Sequence, residues 1–186
     1  MPAPMRLDRT DFAVLESLQE NAGLSNKELA RRVGLAPSSC LQRVRRLRQA
    51  GLLRGAHADV DPGAMGIGIQ ALVEVRFAQH NEAQTVAFRD RLLARPEVLA
   101  LYHVSGPTDF VVHVAVRDVA HLRELGAEAF TGQRIVAHVE TALIFEHYRS
   151  AVLPNYAGES GRAPARGVRD LLVGPRPTSA ARSRPS

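Results

Sequence analysis

The sequence predicts an α+β protein, with a helical head followed by a body in which strands and helices alternate. Within the first sixty residues, three short apolar patterns recur at helical spacing, each bounded by capping or stop residues. From Ile69 onward the apolar residues recur with a period of two, which is typical of a half-buried strand. The chain has 186 residues, of which 45% are hydrophobic and 23% charged. This composition is that of an ordinary globular protein with a packed core.

The first two predicted helices begin at recognisable caps. Asp8 precedes the first helix, with Asp11 three residues later, and this helix ends near residues 21–23. Ser25 and Glu28 stand at capping-box spacing, where hydroxyl and carboxylate satisfy each other's free backbone amides. The second helix is short and ends at Gly34. The apolar residues at helical spacing are Phe12, Leu15, Leu18, Leu29, Ala30 and Val33.

The third predicted helix carries four arginines and no carboxylate. Pro37 suits its first turn, and Gly51 ends it. At 100° per residue, Cys40, Val44 and Leu47 share one face, and the opposite face mixes arginines with hydroxyls and an amide. Such side chains can fork onto guanine edges or phosphates and can bond an adenine. The candidate DNA contacts are Ser38, Ser39, Gln42, Arg43, Arg45 and Arg46.

The alternative is that this helix is only a solvated basic surface. Three observations favour double-stranded DNA as its partner. The helix has no acidic residue for pairing at i,i+4, a second capped helix precedes it through the short connection "VGLA", and the head has enough apolar positions for a small three-helix core. Together the second and third helices form a predicted helix-turn-helix, whose second helix enters the major groove.

The body has the order strand, helix, strand, strand, helix, strand, which is the ferredoxin-like arrangement of an antiparallel sheet with both helices on one face. Between head and body, residues 52–66 predict a short strand or hairpin, the wing of a winged head, leading into a linker. The predicted elements of the body cover residues 69–77, 82–95, 98–104, 110–116, 119–130 and 136–148. The predicted divisions are a head at 1–60, a linker at 61–68, the body at 69–154, and a disordered basic tail at 155–186.

Several classes of function lack support in the sequence. The apolar runs are too short to cross a bilayer and the N-terminus lacks the apolar middle of a signal peptide, so we expect a cytoplasmic protein. A single cysteine, Cys40, excludes an internal disulfide and zinc sites built from paired cysteines, and the histidines show no metal-ligand spacing. "GIGIQA" fits the G-x-G-x-x-A pattern of dinucleotide-binding proteins, but it precedes a predicted strand. In those proteins the pattern follows a strand and opens a helix. The sequence also lacks the nucleophile-elbow pattern of serine hydrolases. We therefore expect that the protein is not an enzyme and that it has no catalytic residue, no metal and no cofactor.

The motifs also carry a family resemblance. "LDRTD", "LARRVGL" and "RVRRL" resemble the DNA-binding head of the Lrp/AsnC, or feast/famine, family of bacterial and archaeal transcription regulators. The resemblance continues through the ferredoxin-like body and covers about residues 6–154. One position departs from the pattern, since the residue before Pro37 is commonly serine in the family and is Ala36 here. Loss of that N-cap hydroxyl costs the helix start about 1 kcal/mol, with Ser38 or Ser39 as the candidates to compensate.

The resemblance implies that the body pairs through its sheet into homodimers, which can assemble further into species such as octamers. It also implies that amino acids or related metabolites bind between protomers beside the turn after the second strand, which is "HVSGPTDF" here. Gly106 would let the backbone approach the ligand, Thr108 could bond its carboxylate, and Asp109 could receive its ammonium group. The alternative is a plain hairpin turn capped by Asp109. His103 and Thr141 are weaker candidates.

These expectations combine into a sequence-specific transcription regulator whose assembly or DNA affinity responds to an amino acid. The alternative is an architectural DNA-binding protein without an effector, which would bind with steep salt dependence and little sequence preference. The net charge of +5 is concentrated at the two ends of the chain, which suits contact with a polyanion.

Overall fold

The computed structural model describes residues 6–79 and 81–157. The described residues divide into two compact units, one formed by those up to Ala58 together with Tyr148–Ala157, the other by those within Asp59–His147. Within the described residues, no helix is both long and apolar enough to cross a membrane. Most of the predicted tail, from residue 158 on, lies outside the described residues.

The first unit contains the three predicted helices. They are α1 (Arg9–Glu20), α2 (Asn26–Arg32) and α3 (Pro37–Gln49). Both predicted capping boxes are present, Asp8 with Asp11 on α1 and Ser25 with Glu28 on α2, so each helix begins where its local signal placed it. The buried core residues of the unit are Val14, Leu29, Ala30, Cys40, Val44 and Leu47.

The expected strand or hairpin between residues 52 and 66 is not formed. This stretch contains one short 3₁₀ turn, Gly63–Met65, closed by Gly66 at a φ of +75°. Almost all of its side chains are exposed. A strand needs a neighbour for its backbone hydrogen bonds, and no strand lies beside this stretch in the described part of the chain.

The second unit has the predicted ferredoxin-like order. Its elements are β1 (Ile69–Phe77), α4 (Glu82–Leu93), β2 (Val98–His103), β3 (Phe110–Val116), α5 (Val119–Leu125) and β4 (Val136–Leu143). The four strands form one antiparallel sheet in the order β2-β3-β1-β4. Both helices pack on one face of it, because their buried residues join the inward-facing strand residues in a single core. The predicted α+β class and topology are confirmed.

Two boundaries differ from the prediction. The last strand ends at Leu143 and does not reach residue 148. Its antiparallel neighbour β1 begins at Ile69, so β4 has almost no partner beyond Leu143. The Ile144 N–H still donates to the Gln70 carbonyl at 2.9 Å. The last predicted helix changes at Gly126 into a π-helical turn, Gly126–Thr131. This turn contributes two fully buried residues, Ala129 and Phe130, to the core.

Three phenylalanine rings form the centre of the second core. The ring centroid of Phe77 on β1 lies 5.1 Å from that of Phe88 on α4 and 5.6 Å from that of Phe110 on β3. The edge-to-face and tilted arrangements are those that aromatic quadrupoles favour. Phe77 ends β1 and Phe110 begins β3, so this cluster packs against the end of the sheet that carries the predicted effector turn.

Candidate DNA interface and effector turn

The connection between α2 and α3 is held in place by three local features. Gly34 has a φ of +69°, a conformation that favours glycine. The Leu35 N–H donates to the Ala30 carbonyl at 2.8 Å, and the Asn26 side chain donates to the Pro37 carbonyl at 2.8 Å. The first bond ties the connection to α2, and the second joins the first turn of α2 to the first turn of α3. The two helices therefore form the predicted helix-turn-helix with a fixed entry into α3.

One face of α3 is exposed and polar. Ser38, Ser39, Gln42 and Arg45 are all exposed, and the inward face of the helix is buried at Cys40, Val44 and Leu47. Among the described residues, Arg45 has no carboxylate within ion-pair distance. A slim polar side-chain set with one uncompensated guanidinium can form hydrogen bonds to base edges and to phosphates.

Arg43 and Arg46 differ from Arg45, because α1 supplies acidic partners for both. Arg43 Nη1 donates to Asp8 Oδ2 at 2.7 Å and to Asp11 Oδ1 at 2.8 Å, and Arg46 Nη2 donates to Asp11 Oδ2 at 2.6 Å. The sequence showed only that α3 itself contains no acidic residue for pairing at i,i+4. The absence of acids within α3 says nothing about acids on neighbouring helices. The sequence did not indicate that Asp8 and Asp11 pair with arginines of α3, because their spacing was already accounted for by a capping box on α1.

The pKa values of Asp8 and Arg43 shift in the directions that their contacts require. The pKa of Asp8 is lowered, first by the hydrogen bond from the Asp11 backbone N–H and then by the Arg43 guanidinium. The pKa of Arg43 is raised by its hydrogen bonds to Asp8 and Asp11. Both shifts favour the charged forms of Asp8 and Arg43.

The start of α3 lacks a side-chain cap. Ala36 occupies the N-cap position, and no side chain bonds the free amides there, so neither Ser38 nor Ser39 compensates. We expect Ala36→Ser to raise the free energy of unfolding by about 1 kcal/mol, because the new hydroxyl can accept a bond from a first-turn N–H. Urea unfolding of the two proteins measures this difference. An unchanged or lower stability would contradict it.

The predicted effector turn joins β2 to β3. Gly106 has a φ of +115°, and Thr108 Oγ1 donates to Glu74 Oε2 at 3.1 Å. Asp109 Oδ2 accepts the Phe77 N–H at 2.6 Å, and the backbone of Asp109 bonds Val75 and Val104. The side chain of Asp109 therefore replaces a strand partner where β1 runs past the end of β3, and its backbone carbonyl closes the hairpin by accepting the Val104 N–H. Glu74 as the partner of Thr108 was not predicted.

The two weaker effector candidates lie in different places. His103, at the end of β2, stacks on Phe110 with ring centroids 4.8 Å apart, so it adjoins the turn. Thr141 pairs with Val73 in the register of β4 against β1, on the far side of β1 from β3. The strand order thus brings Gly106, Thr108, Asp109 and His103 to one end of the sheet and leaves Thr141 apart from them.

The sheet face opposite the helices carries a partly buried histidine. His113 Nε2 lies 2.9 Å from Gln70 Oε1, and its ring centroid lies 5.8 Å from that of His147. Burial first, and the neighbouring His147 second, lower the pKa of His113 below its ordinary value of 6.5. The stability that neutral His113 contributes is therefore complete above pH 6.5, and it is lost as the pH falls from there through the lowered pKa.

An NMR titration of the His113 ring protons is expected to give a pKa below 6.5. His147→Ala is expected to raise this pKa only part of the way, since burial is the larger cause. A midpoint at or above the ordinary value in the unchanged protein would contradict the structure.

Comparison with known proteins agrees with this geometry. Residues 7–54 match the family described as winged helix-turn-helix DNA-binding, and residues 70–152 match the Lrp/AsnC ligand binding domain. The HTH-type transcriptional regulator AldR of Mycolicibacterium smegmatis is 40% identical over 145 residues, which cover 78% of this chain and 85% of that protein.

Two further relatives align with this chain over nearly their whole length. The leucine-responsive regulatory protein of Rhizobium meliloti is 32% identical, over 81% of this chain and 97% of its own. A transcriptional regulator of Neisseria meningitidis, solved in complex with L-Met, is 28% identical and superposes with a TM-score of 0.75 over 81% of this chain and 98% of that one. With both family matches and a relative at 40% identity, the chain belongs to the Lrp/AsnC family of transcription regulators.

Proposed function

We propose that this regulator reads an operator through the exposed face of α3. The observation that carries the proposal is the exposed set Ser38, Gln42 and Arg45, on a helix whose opposite face is buried in a helix-turn-helix core. Arg45 suits a guanine edge or a phosphate, Gln42 an adenine, and the two serines near the helix start suit backbone phosphates. Arg43 and Arg46 lie on the side of α3 that contacts α1. They can bind phosphates only through the N–H donors that do not already bond Asp8 or Asp11.

Base-resolved binding tests this assignment. If Gln42 reads a base, Gln42→Ala relaxes the preference at one position of the site and keeps it elsewhere, whereas loss of a phosphate contact weakens all sequences alike. Competition among single-base variants of a duplex selected in vitro measures the difference. A preference unchanged at every position would remove Gln42 from the interface.

The effector of this regulator is proposed to be an amino acid, bound at the turn from Gly106 to Asp109. The match to a ligand-binding domain and the L-Met complex of the Neisseria relative support this class of ligand. The positive φ of Gly106 and the carboxylate of Asp109 support the location. Asp109 would then act twice, holding the Phe77 N–H and facing the ammonium group of the ligand.

Asp109→Asn separates the two roles of Asp109. An asparagine oxygen can still accept the Phe77 N–H, but it offers no charge to an ammonium group. Thermal shift with L-methionine and the other common amino acids is expected to show stabilisation of the unchanged protein by at least one of them, and much less of Asp109→Asn. Equal stabilisation of both proteins would leave Asp109 as a cap alone.

Homodimers are proposed to form through the sheet face opposite α4 and α5, with higher assembly built on them. That face carries no helix in the described part of the chain, and it mixes Leu72, Val111 and His113 with polar residues. An effector that favours one assembly alters operator affinity by linkage, because recognition helices must match the half-site spacing. Such a protein works beside DNA in the cytoplasm and acts as a regulator, without a catalytic step. Light scattering with and without effector tests the assembly.

A further inference from the structure

Asp11 is a buried carboxylate whose partners lie on the recognition helix. Its residue is 0% exposed. Oδ1 accepts from Arg43 Nη1 at 2.8 Å, and Oδ2 accepts from Arg46 Nη2 at 2.6 Å and from the Asp8 backbone N–H at 3.1 Å. Both oxygens are therefore occupied. A carboxylate this deeply buried requires such partners, because an uncompensated buried charge is strongly destabilising.

These ion pairs constrain α3 in a way that the apolar core does not. Val14 on α1 shares a core with Cys40, Val44 and Leu47 on α3, and hydrophobic burial has no preferred direction. Charge-assisted hydrogen bonds fix both distance and angle. Arg43 and Arg46 are three residues apart, so Asp11 holds α3 at two points about one turn apart. Rotation of α3 about its own axis is thereby fixed relative to α1.

Arg46 retains the capacity to bind something else. Its side chain is 47% exposed, against 27% for Arg43. A guanidinium has five N–H donors. In the described part of the chain only Nη2 of Arg46 donates, and it donates to Asp11. On the helical projection, Arg46 lies next to Gln42 at the edge of the exposed face.

We propose that Asp11 is a positioning residue for DNA recognition, which holds Arg46 so that its remaining N–H groups meet a backbone phosphate and α3 enters the groove at one rotation. This inference rests on the proposed role of α3 as the recognition helix. A guanidinium that is already held loses little freedom when it binds, so its contact contributes more than that of a mobile side chain.

The sign of the effect separates positioning from other roles. Asp11 carries negative charge on the helix that flanks the recognition helix, so on charge alone its removal strengthens binding to every duplex. A purely structural role lowers binding to every duplex by the same factor, because less protein is folded. Positioning lowers binding to the operator relative to random DNA, because a wrongly rotated α3 no longer aligns Gln42 and Arg45 with base edges, and only the operator is bound through those contacts. The informative quantity is therefore the ratio of the two dissociation constants.

The test compares Asp11→Asn with Glu20→Gln in the full chain. Glu20 is a suitable control because it is also a carboxylate on α1, but it pairs with Arg32 of α2. Binding is measured at one salt concentration to a duplex selected in vitro by the unchanged protein and to a random duplex of equal length. The ratio is expected to fall about tenfold for Asp11→Asn, within the range of one lost specific contact, and to stay unchanged for Glu20→Gln. In an Arg46→Ala background, Asp11→Asn is expected to cause a smaller further fall, because only its contact with Arg43 then remains to be lost.

An unchanged ratio in Asp11→Asn, or an equal fall with and without Arg46, would overturn the proposal. If urea unfolding shows that Asp11→Asn does not fold, Arg46→Lys replaces it, since lysine keeps the charge and loses the fork. A ratio unchanged by Arg46→Lys then overturns the proposal. If the proposed role of α3 as recognition helix is wrong, the result is distinguishable, because the unchanged protein would then select no duplex at all.

Discussion

Replacing Arg45 by alanine is expected to weaken operator binding by about tenfold to a hundredfold, the range for loss of one bidentate base contact. The free energy of unfolding is expected to change by less than about 0.5 kcal/mol, because Arg45 is exposed and has no ion pair in the described part of the chain. Gel-shift titration with a selected duplex and urea unfolding measure the two quantities.

The matched control for Arg45→Ala is Arg123→Ala, which removes the same charge from an exposed position on α5 in the second unit. Its effect on operator affinity is expected to be small. Equal losses from the two variants would mean that total charge, and not the α3 surface, determines binding. The salt dependence adds detail, since loss of a phosphate contact lowers the slope of log K against log salt by about 0.9 and loss of a base contact does not.

Leu47→Ala is expected to lower the free energy of unfolding of the head by about 2–5 kcal/mol and to abolish operator binding under conditions where the head unfolds. Leu47 is 0% exposed and lies on the buried face of α3, at the centre of a core formed by six buried residues. A domain this small has little stability to lose. Circular dichroism during urea unfolding measures the change.

Leu41→Ala is the control for Leu47→Ala. It makes the same change on the same helix, at a residue that is 38% exposed, so it is expected to cost less, at roughly 1 kcal/mol. If the two variants were equally destabilised, the division of α3 into a buried and an exposed face would be wrong.

The sequence predicted the elements whose causes are local. Asp8 with Asp11 and Ser25 with Glu28 are three residues apart, so their capping boxes could be read directly, and both are present. The period-two pattern from Ile69 predicted β1, and the order of elements predicted the sheet. The predicted ends of the elements were less accurate. β4 ends where β1 no longer offers hydrogen-bond partners, and the residues of β4 alone do not indicate that position.

The features that the sequence did not predict depend on contacts between distant residues. Arg46 meets Asp11 across 35 positions, and Asp109 meets the Phe77 amide across 32. Each side chain already had a satisfactory local interpretation, as a DNA contact, a cap or a turn residue. The strand expected between residues 52 and 66 failed for the related reason that local β-propensity supplies no pairing partner.

Selection of duplexes from a random library by the full chain measures whether α3 recognises a DNA sequence. We expect enrichment of one motif, with related half-sites about one helical turn apart and an affinity at least about a thousandfold above that for random DNA. Arg45→Ala should lose that enrichment. Binding that falls steeply with salt but enriches no motif would contradict the role of α3 as a sequence-reading helix and would indicate sequence-independent binding.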